Sequence, residues 1–514
     1  MNFKILSCLS LMASALFLNA ETTPPNVVLI VAEDLGYGDL GCYGATKVST
    51  PNIDDLAANG RMFVDAHSAS AASSPSRYAL LTGEYPIRAL NGKGLWAPAR
   101  NNSPLLIAVE QATIADLFKT MGYATAMIGN WQLGFGEGGN DWPKLLQFGP
   151  LQLGFDYFFG LPVGNSVSPF VYVENDQIVG YDPADPLVYI GPKASKQATP
   201  LTPISPEAGQ RSDNVFSGAV QAHAIYKDDA VGTQLTEKAI DWMESQEAQP
   251  FFLYYSTVQI HHPYTPAPQF RGTSEAGLYG DVIHELDWIV GQIVKSLEAQ
   301  GVLDNTLIIL TSDNGAMFSN AGQEAFKLGH HSSGELLGYK FSAWEGGHRV
   351  PFIATWAGNI EPGTVSSQLI STVDLFATFA ALTGQVVTGT DSINALPALL
   401  EEPTQALREH LVIAARQEQH LALRKGKWVY LPFQGGAGFK GKKPGQNGFA
   451  GPPAVTYTGR SNSDIQKGRI KKGAPPAQLY DLETDLGQTV NLYESHPDVV
   501  EAMEALLSEY HVNQ

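Results

Sequence analysis

Three apolar, β-branched runs in this chain stop abruptly at polar residues, and that pattern restricts the fold more than any other feature. Val27 to Ala32 runs into Glu33 and Asp34, Phe251 to Tyr255 leads towards His261 and His262, and Leu307 to Leu310 runs towards Asp313 and Asn314. Runs that are continuously apolar, not alternating, suit strands buried on both faces, as in a parallel sheet covered by helices. Helical spacing over Asn52 to Ala58, Thr113 to Thr120, Gln234 to Ser245 and Val282 to Ala299 falls between them. Alternating strands and helices predict an α/β architecture, a mostly parallel mixed sheet sandwiched by helices. Ligands of such folds bind just beyond the carboxyl ends of the strands, which is where the polar residues of this chain collect.

At 514 residues the chain exceeds one ordinary domain. The pattern changes after about residue 400, where a stretch from Gly435 to Pro476 is rich in Gly, Pro, Lys and Arg before a closing helix at Asp498 to Tyr510. The expected division is a segment 1–20, a catalytic domain 21–400 and a smaller α+β subdomain 401–514. Residues 1–20 read as a secretory signal, with Lys4, an apolar Leu9 to Leu18 and a small Ala20. The stretch is too short for a membrane span and no span follows it, so a periplasmic or secreted protein is expected. Beyond it Cys42 stands alone, which excludes an internal disulfide in the processed chain. A formal charge of −19 argues against a nucleic-acid partner. It leaves room for a local cationic pocket.

Glu33 and Asp34 follow one strand, and Asp313 and Asn314 another. Three carboxylates and an amide converging at one sheet edge repel unless something positive joins them. A hard cation with oxygen ligands relieves that repulsion, and Ca²⁺ suits the set better than a metal that prefers nitrogen or sulfur. Taken one at a time, each acid could equally cap a helix or solvate a loop. Ser73-Ser74-Pro75-Ser76-Arg77, followed by Tyr78 to Thr82 and Gly83, has the start and stop signals of a helix. Ser73 would then lie at the helix amino end, which favours an anion. Arg77, one turn on, carries a fork of donors suited to a tetrahedral oxyanion.

Here the sequence resembles a known family. Ser73 to Arg77 and Leu81-Thr82-Gly83 are similar to the sulfatase signature, a cysteine or serine, any residue, then Pro, Ser and Arg, and soon Leu-Thr-Gly. Asn26 to Asp39 resembles the family's opening strand and metal loop, and Thr50-Pro51-Asn52-Ile53-Asp54 its next motif. Ser312 to Gly315, Gly338-Tyr339-Lys340, Glu345 to Pro351 and Leu479 to Leu482 with Asn491-Leu492 resemble the later ones, in order along nearly the whole chain.

The resemblance implies a mechanism. The residue matching Ser73 is oxidised to formylglycine (3-oxoalanine), by a dedicated maturation enzyme of the serine type, and stands as a hydrated aldehyde. One hydroxyl attacks sulfur and displaces the alcohol; the other loses its proton and expels sulfate. By the same likeness Glu33, Asp34, Asp313 and Asn314 hold Ca²⁺ beside Ser73, Arg77 steadies the modified residue, and Lys340 contacts sulfate. His261 matches the histidine that serves the ester oxygen, with His262 as the neighbouring alternative. The implied function is hydrolysis of sulfate esters on a sulfated carbohydrate or an aryl sulfate, as in polysaccharide degradation.

The sequence departs from the family at three points. Gly129-Asn130-Trp131-Gln132-Leu133-Gly134 stands where the family reads Gly-Lys-Trp-His-Leu-Gly, and Glu33 replaces the usual aspartate. Asn130 and Gln132 keep hydrogen-bonding capacity towards a substrate but supply neither charge nor a base. Those losses keep open a catalytically weak relative that binds sulfated glycans, and the shared sheet keeps open a phosphatase, phosphodiesterase or phosphonate hydrolase. Lys440, Lys442, Lys443, Arg460, Lys467, Arg469, Lys471 and Lys472 crowd a stretch whose single acid is Asp464. This stretch is expected to fold towards the pocket and grip a polyanionic glycan.

Overall fold

A computed structural model describes residues 24–138, 146–182, 198–200, 221–223, 225–246 and 249–510. The expected signal segment 1–20 lies outside them. The central sheet has ten strands: β1 (Asn26–Ala32), β2 (Arg61–Phe63), β3 (Ala124–Asn130), β4 (Tyr157–Leu161), β5 (Val173–Glu174), β6 (Gln177–Ile178), β7 (Phe251–Ser256), β8 (Thr306–Ser312), β9 (Phe352–Thr355) and β10 (Thr364–Ser366). They lie in the order β10-β2-β9-β8-β1-β7-β3-β4-β5-β6. The five neighbours β8, β1, β7, β3 and β4 are parallel, while β9 on one side and β5 and β6 on the other run antiparallel to their partners. A mostly parallel mixed sheet is what the apolar runs predict. Every residue of β1, β3, β7 and β8 is buried, as two covered faces require.

The helices include α1 (Pro51–Ala58), α2 (Ser73–Thr82), α3 (Ile114–Thr120), α4 (Val231–Glu244), α5 (Gly277–Ala299), α6 (Leu375–Leu382) and α7 (Pro497–Ser508). α5 packs against α1 and α4, while α6 packs against α2 and α3. Local rules set several ends. Thr113 caps α3 through a capping box with Asp116. α2 stops at Gly83 with φ 71°, where a Cβ would come within 2.8 Å of Phe376.

A second sheet, β11 (His410–Ala414), β12 (Leu421–Lys425), β13 (Trp428–Leu431) and β14 (Gln478–Asp481), is antiparallel throughout and has its own apolar core with α7. It is tied to the entry of α2, because Ala414 N–H donates to Ala69 O (3.1 Å) and Ala71 N–H to Ala414 O (2.9 Å). Among the described residues no helix is long and apolar enough to cross a membrane.

One buried acid outside the strand ends makes stability depend on pH. Burial pushes the Glu285 carboxyl of α5 up to about 7 from 4.5, against donors at Gln259 and Ala267. Across that window the folded chain keeps a proton that the unfolded chain has released, so stability falls as pH rises and levels off above it. Glu285→Gln is neutral at every pH. Relative to the wild type it should gain about 3 kcal/mol between about pH 4 and about pH 8, read by denaturant unfolding.

Candidate active site

Four adjacent parallel strands, β8, β1, β7 and β3, bring their carboxyl ends to one edge. β8 ends at Ser312 opposite Ala32, so Asp313 and Asn314 emerge beside Glu33 and Asp34. The Asp34 N–H donates to Asp313 Oδ1 (3.1 Å), and Asn314 Nδ2 donates to Asp34 Oδ1 (2.8 Å). Asp34 adopts a left-handed backbone (φ 63°) to make this turn, as do Gln132 (φ 55°) and Phe341 (φ 71°) nearby. Non-glycine residues in that region cost of order 1–3 kcal/mol each and gather at functional sites.

Ser73 opens α2 fully buried. Its Oγ donates to Asn314 Oδ1 (3.1 Å) and accepts from Lys340 Nζ (3.0 Å). Lys340 also reaches Asp34 Oδ1. Arg77 points the other way: one guanidinium nitrogen donates to Asp313 Oδ2 (2.9 Å), the other to Ser256 Oγ and the Asn130 carbonyl (3.2 Å). The guanidinium therefore orients Asp313 and the β3 terminus; its hydrogen bonds do not go to Ser73. His261 Nε2 lies 3.9 Å from both Glu33 Oε1 and Asp34 Oδ2, while its Nδ1 faces Asn165 Oδ1 (3.2 Å) and the His262 carbonyl. The predicted residues Glu33, Asp34, Ser73, Arg77, Asn130, Gln132, His261, Asp313, Asn314 and Lys340 thus converge on one buried cluster.

Asn130 and Gln132 stand where a substrate contact is expected, yet both turn to Glu33. Gln132 Nε2 donates to Glu33 Oε1 (2.6 Å) and Asn130 Nδ2 to Glu33 Oε2. Gly129 allows this approach, since at φ 117° a Cβ there would lie 1.7 Å from Ser256 O. The three departures from the family pattern are therefore one hydrogen-bonded group, an acid with a longer arm clasped by two neutral amides.

The electrostatics are those of a site short of positive charge. Three buried carboxylates, Glu33, Asp34 and Asp313, face two buried cations, Arg77 and Lys340. Burial drives Glu33 above the usual carboxylate range, and His261 and Arg77 offset this only in part. Burial also acts on Asp34, but Lys340 and His261 outweigh it and hold that carboxyl below its usual value. Burial disfavours the Lys340 charge, and Asp34, Asp313 and Glu33 overcome it. Asp34 Oδ2, Asn130 Oδ1 and Gln132 Oε1 are buried acceptors without a hydrogen-bond donor. An all-oxygen set with unmet acceptor capacity and excess negative charge fits a hard divalent cation.

The sequence reading missed three partners. Ser256 was discoverable, being a polar residue closing an apolar strand. Tyr254, whose hydroxyl lies 3.4 Å from Arg77, reads as core, and Asn165 sits in irregular chain after β4 with no local signal. Two members of the basic stretch have structural partners: Arg460 donates to the Glu335 and Gly334 carbonyls, which ties its loop to the catalytic domain, and Lys471 donates to the Ser463 carbonyl (2.6 Å). The amide clasp is testable: Gln132→Ala leaves a buried Glu33 oxygen short of a donor and should cost about 1–3 kcal/mol in denaturant unfolding. Gln132→Glu, which places a second carboxylate against Glu33, should cost more.

The sulfatase family model matches residues 25–385. The chain is 37% identical over 503 residues to an N-acetylgalactosamine-6-O-sulfatase of Bacteroides thetaiotaomicron, across 94% of this chain and 92% of that protein. It is 31% identical over 498 residues to human arylsulfatase A, across 95% and 88%. A solved structure concerned with the metabolism of multiple glycosaminoglycans by Bacteroides thetaiotaomicron superposes with a TM-score of 0.78 at 34% identity, covering 94% of this chain and 98% of that one. A phosphonate monoester hydrolase of Agrobacterium radiobacter, TM-score 0.57 at 19% identity over 95% of each chain, shares the fold. With its motifs, its sheet and these relatives in agreement, the chain belongs to the sulfatase family and is a sulfuric ester hydrolase.

Proposed function

We propose that this enzyme removes sulfate from a sulfated carbohydrate, an N-acetylhexosamine-containing glycan, using Ser73 oxidised to formylglycine beside a calcium ion held by Glu33, Asp34, Asp313 and Asn314. The observation that carries the reading is the placement of Ser73 Oγ between Lys340 Nζ (3.0 Å) and Asn314 Oδ1 (3.1 Å), at the start of α2 and against the acidic cluster. The relative with 37% identity and the structural neighbour with 34% identity support a glycan over an aryl substrate.

When bound, the ion would polarise a sulfate oxygen and favour the deprotonated nucleophile, and oxidised Ser73 would supply that nucleophile as a hydrated aldehyde. The chain's own residues do the rest. Lys340, fully buried, places a fixed positive charge where the sulfate oxygens gather. Arg77 locks Asp313 in place through its guanidinium. The Nδ1 of His261 faces two acceptor oxygens, which fixes its proton there, so exchange with the leaving oxygen takes place at Nε2. With Gln132 in place of a histidine, no second imidazole assists the return of the aldehyde, and turnover should be slow. The expected export to the periplasm or beyond places the enzyme where polymeric glycans are met.

Two measurements test this. In protein from its native host, the peptide containing Ser73 should be two hydrogens lighter than serine requires; an unmodified mass in active protein refutes the oxidised nucleophile. Sulfate should be released from a 6-sulfated N-acetylhexosamine, and phosphate from the matched phosphate ester far more slowly; the reverse order would move the activity to phosphate esters. Separately, removal of divalent ions should lower the melting temperature and Ca²⁺ should restore it, since an ion at one hundred times its Kd stabilises by about 2.7 kcal/mol.

A further inference from the structure

Next to the Ser73 site, Lys340 and Lys442 of the stretches above meet two aromatic rings and an arginine, Arg416, that belongs to no motif. Phe341 follows Lys340, and its N–H donates to Ala71 O (2.7 Å), so its ring packs with Ala72 and Met317 beside Ser73. Phe439 meets Phe341 edge-on, with ring centroids 4.8 Å apart. The Arg416 guanidinium lies over Phe439 at 3.7 Å and 5.7 Å from Phe341, while Lys442 Nζ is 5.6 Å from Phe439. Lys340 Nζ lies 5.4 Å from the same Phe341 ring, which places Arg416 and Lys340 within about 11 Å of each other. Arg416 is fixed there by β11, whose last residue Ala414 is bridged to Ser70 at the entry to α2.

Charge pairing distinguishes this arginine. The more deeply buried Arg77, Arg349, Arg408 and Arg424 each pair with a carboxylate at 3.3 Å or less. Arg416 is half-buried, and burial lowers the pKa of its guanidinium. Among the described residues no carboxylate pairs with it. Stacking on Phe439 holds the fork in place but leaves its donors unmatched. An unpaired, oriented guanidinium beside a second cation is suited to a planar or tetrahedral anion.

We infer that Arg416, with Lys442 and the Phe439 ring, forms a second anion subsite that takes a carboxylate or a further sulfate of the sugar chain whose sulfate ester enters at Ser73. This rests on the sulfated-glycan reading above. A separation from Lys340 of at most about 11 Å admits a group on the same sugar or on the next one.

The test is equilibrium binding by calorimetry, with Ser73→Ala in the full chain to prevent turnover. The probes are a 6-sulfated N-acetylhexosamine, its disaccharide with a uronic acid, and a disulfated disaccharide lacking a carboxylate. Arg416→Ala should weaken at least one disaccharide by about tenfold or more relative to the monosulfated sugar, and which disaccharide loses affinity identifies the anion as carboxylate or sulfate. Arg416→Gln, which keeps a stem on Phe439, separates loss of charge from loss of the stack and should behave alike. Equal changes for all three sugars, or none, would overturn the subsite and leave the sulfatase reading intact. If the parent protein binds none of the three, the sulfated-glycan reading itself fails.

Discussion

The constraint on which this structure depends is the burial of three carboxylates at the tips of two adjacent parallel strands. A carboxylate taken out of water without partners is prohibitively costly, and here Glu33, Asp34 and Asp313 are all fully buried. Two ion pairs answer most of that cost, Arg77 with Asp313 and Lys340 with Asp34. Their partners come from distant parts of the chain, Arg77 from α2 and Lys340 from the loop before β9. Removing one member of such a pair typically costs about 3–5 kcal/mol, because the charge left behind has no solvent. The electrostatic arrangement therefore fixes how α2 and the segment around Lys340 approach the sheet. Asp34 and Phe341, beside these two ion pairs, adopt left-handed backbone.

Much of this was legible in the sequence because the signals were redundant. Apolar runs gave the strands, and the residues ending each run gave the site edge, since a parallel sheet exposes only its strand ends to ligand. The prediction of α2 from Ser73 to Gly83 needed only a proline near its start and a glycine after its end, and the helix spans Ser73–Thr82. What one-dimensional reading could not supply is direction. Arg77 one turn after Ser73 reads as an anion clamp, yet its side chain reaches Asp313 across the sheet, a partner 236 residues away. Asn130 and Gln132 read as substrate contacts for the same reason. Their turn towards Glu33 depends on Gly129, where β3 runs so close to Ser256 that no side chain fits.

That amide clasp bears on chemistry as well as on geometry. A lysine at position 130 would sit against the acid at position 33 as a third buried cation, and the excess negative charge would then vanish. With neutral amides at 130 and 132 the cluster stays negative, which increases its demand for a divalent ion. The same exchange leaves Lys340 as the one cation hydrogen-bonded to Ser73 among the described residues. The site therefore holds fewer positive charges than the family motif provides, and under the proposed subsite charges further out would carry more of the selectivity.

The second sheet is where those outer charges come from. Its first strand is bonded to the segment that delivers Ser73, through Ala414 with Ala69 and Ala71. Trp344, in the Lys340 segment, donates to Gln478 of β14 (3.1 Å), and Arg424 of β12 pairs with Asp65 (2.8 Å). The subdomain is thus joined both to the segment that delivers Ser73 and to the segment that carries Lys340, and a loop it carries, Phe439 to Lys442, meets Phe341. Because the same hydrogen-bonded backbone holds Ser73 and Arg416, their spacing is set by the fold rather than by a mobile arm. On the proposed reading, a sugar chain would have to match that fixed spacing, and selectivity would arise from a distance built into the fold.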